Sequence, residues 1–521
     1  MAASNSVISL RSWIVLGGVA ILLFLMNIDY TAVNLTLVPI SEEINADLNS
    51  LQWLLSGYVL VWAAFVIPAG RVADIYGKRN TLIGGLLLFM VGSCLTGIGQ
   101  SIEMLIFGRL LQGFGAAVFT APAWASIFTI APPEKQGLVM GFILTACGLG
   151  LATGPTLAGI IIAEISWRWI FYINIPLGII IITILALYSP IEKLPEIKQK
   201  IDYLGALILA SGLSLFVYAL NEVEVQGIKS WQVCGGMLIG ALIVVTFILR
   251  DRTKTLKMCP PELFKNRAFM GATIGEFFMA VNFSLILVMM SLYLQNTLRY
   301  SSYESGLIFL SMTISMGALS PIGGKLIDSF GVKGPMVFGS LCTAVGLGFL
   351  ACLGTNTTLP YLIISMFLVG TGLGTYFTAC STAMMRSVPQ EDLNVGSGVF
   401  TMFMMLGNTF SVILSTSFVV LFGRTHLLGS IATHGMTLTS EQHDDLTSII
   451  SKVEHSASQL KDFAPDQVPQ LLSWIDEAFV YGLNVNMMIG CVCALIATGL
   501  TLWGIGSVKA TSGEVKAHIG V

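Results

Sequence analysis

Charge is what this chain has least of: Lys, Arg, Asp and Glu make up 11% of its 521 residues, whereas 55% are hydrophobic. A soluble fold of that length needs a charged exterior, and a mean hydropathy of +0.82 excludes one. The net charge of -3 gives no reason to expect a nucleic-acid partner. A GxxxxGK(S/T) phosphate loop is absent, so ATP-driven pumping is not expected. The five histidines, His426, His434, His443, His455 and His518, lie in one long polar stretch or in the tail, and the nine cysteines are dispersed without a metal-like cluster. With no Ser/His constellation in the apolar runs either, no metal, cofactor or enzymatic centre is expected. No cleavable signal is recognisable, because the first apolar run is too long and lacks a small-residue cleavage site.

What the chain does have is apolar runs of about the 20 residues that a helix needs to cross hydrocarbon. Six come first: Trp13 to Leu37, Leu51 to Ala73, Thr81 to Gly99, Met104 to Trp124, Leu138 to Ile162 and Trp169 to Tyr188. Two follow a polar linker, Tyr203 to Leu220 and Val233 to Leu249. Six more are Ala268 to Leu294, Gly306 to Ile322, Met336 to Cys352, Tyr361 to Cys380, Val395 to Phe422 and Val480 to Ile505. The fold class predicted is all-α integral membrane, with 14 transmembrane helices. If both termini are cytoplasmic, only Arg168, Lys229, Arg299, Arg424, Lys452 and Lys461 fall on the outer side, a bias that supports a multi-pass protein of the cell inner (cytoplasmic) membrane. One outer loop, about residues 423–478, alternates in charge sign and reads equally as a surface helix over the mouth and as a solvated linker.

Two loops repeat. GRVADIYGKR (Gly70 to Arg79) and GGKLIDSFGVKG (Gly323 to Gly334) each join the second and third runs of a set of six, and each places Gly, a basic residue, Asp, and then Gly with a basic residue in that order. Positive-inside anchoring accounts for the basic residues, but the shared Asp adds little to orientation. The repeat divides the chain into residues 1–190, an N-terminal six-helix half; 191–267, a linker with two additional transmembrane helices; and 268–521, a C-terminal six-helix half that includes the long outer loop.

These residues also carry a family resemblance. GRVADIYGKR resembles the signature of the major facilitator superfamily, and GLGLATGPTLAG (Gly148 to Gly159) resembles its antiporter motif. NIDYTAVNLTLVPI in the first run and WRWIFYINIPLG (Trp167 to Gly178) entering the sixth resemble the fourteen-span drug:proton antiporters of the QacA/EmrB-like group. The resemblance covers nearly the whole chain and implies the major facilitator fold, two six-helix halves plus two additional central helices. It implies a proton-coupled multidrug exporter for lipophilic, cationic compounds, powered by the proton gradient without a cofactor. Export of a specific metabolite or siderophore, and an uncoupled facilitator, stand as alternatives. EmrB-like relatives work with a periplasmic adaptor and QacA-like ones alone; DEAFVYGLNVNMMIG is closer to the latter, so the partners expected are a small-molecule substrate, protons and the bilayer.

Asp29 lies inside the first run, with Asn27, Thr31 and Asn34 on one side of the helix. Removing a carboxylate from water disfavours its charged form, so Asp29 can take up and release a proton or, when ionised, attract a cation; the alternative is a neutral Asp satisfied by a neighbouring helix. Arg109 in the fourth run must face a protein or watery interior, and it reads either as a proton-transfer residue, the role the resemblance implies, or as a structural clamp on carbonyls. Glu276, in the first run of the second half, completes the proton-coupling candidates, with a structural role equally open. Gly70, Arg71, Asp74, Gly77, Lys78, Arg79, Lys325 and Asp328 form the candidate cytoplasmic gate. In the motif Gly148, Gly150, Gly154, Pro155 and Gly159, the set Gly148, Ala152, Pro155 and Gly159 falls within about 60° around a helix, a bare stripe that another helix can approach. Asn34, Gln112, Phe283, Met404 and Met405 are the candidate substrate-cavity residues, since thioethers and rings suit varied apolar or cationic ligands but also fill any membrane core.

Overall fold

The computed structural model describes residues 8–44, 46, 48–190, 202–223, 230–254, 257–433 and 468–506, and no strand occurs among them. The first helices are α1 (Leu10–Ala32), α2 (Leu37–Ile44), α3 (Leu48–Tyr76), α4 (Lys78–Ile98), α5 (Ile102–Ile130), α6 (Gln136–Glu164), α7 (Arg168–Tyr172) and α8 (Asn174–Tyr188). Then come α9 (Tyr203–Asn221), α10 (Trp231–Asp251) and the short α11 (Pro261–Lys265). The last six are α12 (Arg267–Leu292), α13 (Ser302–Phe330), α14 (Lys333–Leu350), α15 (Leu359–Ser387), α16 (Leu393–Thr433) and α17 (Val468–Gly504). Thirteen helical spans among the described residues are long and apolar enough to cross a membrane, and the 41-residue α16 contains the fourteenth expected run.

Helix starts are marked by side chains that satisfy free backbone donors. Ser101 accepts from the Met104 amide, Asn266 Oδ1 accepts from the amides of Ala268 and Phe269, and Ser301 and Glu304 form a reciprocal capping box. Gly77 after α3 and Gly331 after α13 both adopt φ 85°, a conformation that glycine tolerates, so the two repeated loops turn the chain in the same way.

Packing between helices relies on residues without side chains. A Cβ at Gly92 of α4 would sit 2.7 Å from the Gln112 nitrogen of α5, and one at Gly339 of α14 would sit 2.6 Å from the Tyr376 nitrogen of α15, so the same pair of helices closes in each half. Across the halves, α3 meets α16 and α6 meets α13. Ser397 Oγ donates to the Ala121 carbonyl at 2.9 Å, and Thr145 Oγ1 to the Gly317 carbonyl at 2.7 Å. These contacts lie toward the end of the bundle that collects Arg71, Lys78, Lys325 and Arg386, the basic face. Past Thr145 the α6–α13 seam thins: at Gly148 an added Cβ would meet only Met316 Cε at 3.8 Å, and at Gly159 nothing. The seam therefore opens toward the opposite face. The α9–α10 pair lies along α3 and α16, where Tyr218 stacks on Trp53 at 5.7 Å and Phe410 packs on Leu220, Val223 and Val233.

The antiporter motif packs through a different stripe from the one expected. Gly150 and Gly154, with Ala158 one turn on, press against α1: a Cβ at Gly150 would lie 2.6 Å from the Phe24 carbonyl, and one at Gly154 would overlap Thr31 Oγ1. Pro155 and Gly159 are exposed, because the face they share with Gly148 and Ala152 continues the α13-facing side of α6 into the part where α13 has diverged. The long outer loop is helical at both ends, where Leu427 and Ile431 of α16 and Leu471, Trp474 and Ile475 of α17 are buried and Asp476 reaches Arg299 at 3.6 Å. The expected surface helix over its middle falls on residues 434–467, outside the described residues.

Valine at Gly150 must push α1 away from α6, a strain of about 1–3 kcal/mol. Gly150→Val is therefore expected to lower the thermal unfolding midpoint in detergent while Gly159→Val leaves it unchanged; equal losses would contradict this choice of packing face.

Candidate functional site

Asp29, near the opposite-face end of α1, is 1% exposed and fully engaged. Its Oδ2 accepts from Arg109 Nη1 at 2.6 Å, and its Oδ1 accepts from Asn174 Nδ2 at 2.9 Å and Gln112 Nε2 at 3.2 Å. Ser93 Oγ accepts the second hydrogens of Gln112 and Asn174, at 2.6 and 2.9 Å. Arg109 Nε donates to the Leu54 carbonyl at 2.9 Å, its Nη1 also donates to Gln112 Oε1 at 3.0 Å, and its guanidinium stands 4.3 Å from the Tyr58 ring centroid. Five helices, α1, α3, α4, α5 and α8, thus converge on one ion pair. A buried pair persists in a low dielectric only when its remaining donors and acceptors are met, and here Arg109 Nη2 is left over.

Local structure explains how the network assembles. The helix breaks at Ile173, so Asn174 becomes the first residue of α8, where Pro176 costs no hydrogen bond. Just before it, Arg168 Nη1 donates to the Gly97 and Gly99 carbonyls at 3.0 and 2.8 Å, closing the end of α4. Arg168 also reaches Glu43 at 2.7 Å, and Trp167 Nε1 donates to the same carboxylate at 2.6 Å. The Trp167 hydrogen bond, with Arg168 behind it, holds the Glu43 carboxyl below the usual carboxylate range. After Asp29, α1 tightens into a 3-10 turn over Val33–Thr36.

Glu276 of α12 is 2% exposed, its Oε2 has no partner, and Cys380 and Tyr376 of α15 lie beside it. At 1.5 Å per residue it lies roughly 14 Å along α12 from the basic face, whereas Arg109 lies roughly 10 Å along α5 from the opposite face. The structure does not bring Asp29 and Glu276 into one site: they occupy different halves at different depths.

The repeated loops build matching latches on the basic face. Asn394 of α16 donates to Asp74 at 2.5 Å, and Arg71 pairs with Asp74 at 3.6 Å and with Asp392 at 3.4 Å, while a Cβ on Gly70 would meet the Asn394 carbonyl at 2.6 Å. Burial raises the Asp392 carboxyl above its usual range, with Arg71 opposing. In the second latch, Asp328 accepts the Gly137 and Leu138 amides at the start of α6, both at 2.9 Å, where the helix dipole favours an anion. Arg386 of α15 holds Asp328 at 3.0 Å and the Pro133 carbonyl at 3.1 Å. Lys78 faces Asp74, and Arg79 donates to the Ala186 carbonyl of α8 within the first half. Lys325, expected in the gate, is instead exposed on α13, and among the described residues Arg386 is the cation on Asp328. Lys325 and Asp328 stand three positions apart on α13, and of the two only Asp328 reaches the α6 amides while Lys325 stays exposed.

The substrate-cavity candidates divide. Gln112 is buried inside the ion-pair network and Met405 is buried, whereas Asn34 is exposed and Phe283 and Met404 are half-exposed. Phe283 meets Phe377 edge-on at 6.3 Å, and next to it Ser284 donates to Asn408 at 3.0 Å, a mixed aromatic and polar surface between α12, α15 and α16.

A family model described as Major Facilitator Superfamily matches residues 19–258 and 272–435. The chain belongs to the major facilitator superfamily. It is a multi-pass membrane transporter and not an enzyme. Among curated proteins it is 27% identical to the multidrug transporter protein MdtP of Bacillus subtilis, covering 94% of this chain and 91% of that one. It is 30% identical to multidrug resistance protein 3 of the same organism over 70% of this chain and 72% of that one. Among solved structures, the proton:xylose symporter XylE superposes with a TM-score of 0.58 at 13% identity over 94% of this chain and 95% of that one, a likeness of fold.

Several residues that complete these sites were not singled out in the sequence. Asn174 stands within the quoted WRWIFYINIPLG, and its amide was the available signal; Ser93 and Tyr58 have none, because a buried Ser or Tyr in an apolar run looks like any other. Asp392, Asn394 and Arg386 sit in the loop and helix ends between the fourth and fifth runs of the second half, where no repeat flagged them.

Removing one member of the buried pair strands the other charge, a loss of about 3–5 kcal/mol. Asp29→Asn and Arg109→Gln are each expected to lower thermal stability by that order, and the double variant to lose less than the sum; additive losses would show that the pair is not coupled.

Proposed function

We propose that this superfamily member is a proton-driven exporter of lipophilic, cationic compounds, working alone in the cell's inner membrane with its basic face cytoplasmic. The Lys and Arg distribution supports that orientation. With it, both latches close the cytoplasmic side and the α6–α13 seam opens outward. The names of MdtP and multidrug resistance protein 3 support multidrug export. The observation that carries the proton coupling is the 2.6 Å pair of Asp29 and Arg109, buried within reach of the outer face.

In this reading a proton from outside binds Asp29 Oδ2 and displaces Arg109. A neutral Asp29 holds Arg109, Gln112 and Asn174 more weakly, which frees α1 from α5 and α8. Because α1 packs on Gly150 and Gly154 of α6, the two helices move together against α13. The bare face of Gly148, Ala152, Pro155 and Gly159 then closes on the outer half of α13 while the Asp74 and Asp328 latches part. Inside, Asp29 loses its proton and a cationic compound enters against Phe283, Phe377 and Met404, whose ring faces and thioether tolerate varied shapes. Exchange follows because each occupancy favours a different side.

Everted vesicles with an acidified interior test this. The wild type is expected to release protons when cationic dyes are added and Asp29→Asn to release none, although it still binds dye. Dye movement by the wild type without any change in the proton gradient would make it a facilitator and overturn the reading.

A further inference from the structure

We infer that Glu276 carries a proton in this conformation, making the junction of α12, α15 and α17 a second proton-binding site separate from Asp29. The two buried carboxyls have opposite surroundings. Asp29 has a guanidinium and two amides. Around Glu276 no cation is present among the described residues: α15 contributes Tyr376 and Cys380, α17 sets the Thr501 hydroxyl against Tyr376, and α16 presents Gly407 to neighbouring Phe277. Arg267, at the start of the same helix, turns its guanidinium toward the Trp503 ring at 5.9 Å. An ionised carboxylate this deep, without a counter-charge, would bear a desolvation cost that nothing nearby offsets.

Hydrogen counting gives the same answer. Cys380 Sγ lies 3.1 Å from the Ala272 carbonyl, which can only accept, so the single thiol hydrogen is committed there. Sγ also lies beside the Glu276 carboxyl. With the thiol hydrogen already placed, a hydrogen between Sγ and the carboxyl can only be that of the carboxylic acid. Glu276 Oε2 and the neighbouring Thr273 Oγ1 are both unpartnered, which fits a neutral acid better than an anion seeking donors.

The position gives the proton a use. Glu276 lies in the inner part of its half and Asp29 in the outer part of the other, so one group is placed to exchange with each side of the membrane. That transport role rests on the proton-driven reading above; the protonation itself does not.

Infrared absorption of the purified full chain in nanodiscs at neutral pH tests the protonation directly, without any substrate. The wild type is expected to show the C=O stretch of a protonated carboxyl that shifts in D2O. Glu276→Gln should abolish it, Asp29→Asn should leave it in place, and Cys380→Ala should move it to higher frequency as the acid loses its acceptor. Absence of the band from wild type, or its persistence in Glu276→Gln, overturns the proposal. Cys380→Ala also guards against a misfolded Gln variant, because an unmoved band there contradicts the assigned hydrogen bond. A vesicle assay that fails while the infrared band behaves as expected would refute proton-driven export and leave the site standing.

Discussion

A full charge in a hydrocarbon-thick interior must be matched within hydrogen-bond distance, and the Asp29–Arg109 pair is how this chain meets that constraint. The other features of the N-terminal half are arranged around it. Asn174 requires the break before α8, Gln112 requires Gly92 to let α4 and α5 touch, and Leu54 must offer its carbonyl from the start of α3. The pair is both a stabilising centre and a point of weakness, because one proton on the carboxylate removes the attraction that the surrounding donors were set to support.

The two halves share a backbone plan but not their polar chemistry. Matching turns at Gly77 and Gly331, matching glycine-mediated helix pairs and an acidic latch in each half follow from the repeat. The interiors differ: one buried carboxyl is paired with a guanidinium, and the other has only a thiol and a tyrosine beside it. Gly92 against Gln112 and Gly346 against Val369 are matching contacts, so Met366 stands in the second half where Arg109 stands in the first, and the second half has no cation to offer at that level.

Much of this was legible in the sequence, because the bilayer imposes a length and a charge pattern that single residues report. The apolar runs, the repeated loops, and the buried Asp29, Arg109 and Glu276 could all be picked out as charges or punctuation against an apolar background. What was not legible depends on angle and distance between helices. The face of the Gly148 to Gly159 stretch that packs lies roughly 130° round the helix from the bare stripe, since periodicity identifies such a stripe without saying which neighbour lies near. Lys325 was grouped with Asp328 by analogy of spacing, yet the cation comes from Arg386, far along the chain. Neutral polar residues such as Ser93 and Asn394 gain meaning only when a carboxylate is found beside them.

The claim that one proton on Asp29 switches the bundle can be read as a distance. Spin labels at Ile160 of α6 and Leu307 of α13, both exposed near the helix ends away from the basic face, report how far the seam is open. The account predicts that in the wild type the distance distribution shifts to shorter values from neutral to mildly acidic pH, and that Asp29→Asn holds the short distance at both. A wild type that ignores pH, or an Asp29→Asn protein that shifts just as the wild type does, would contradict it.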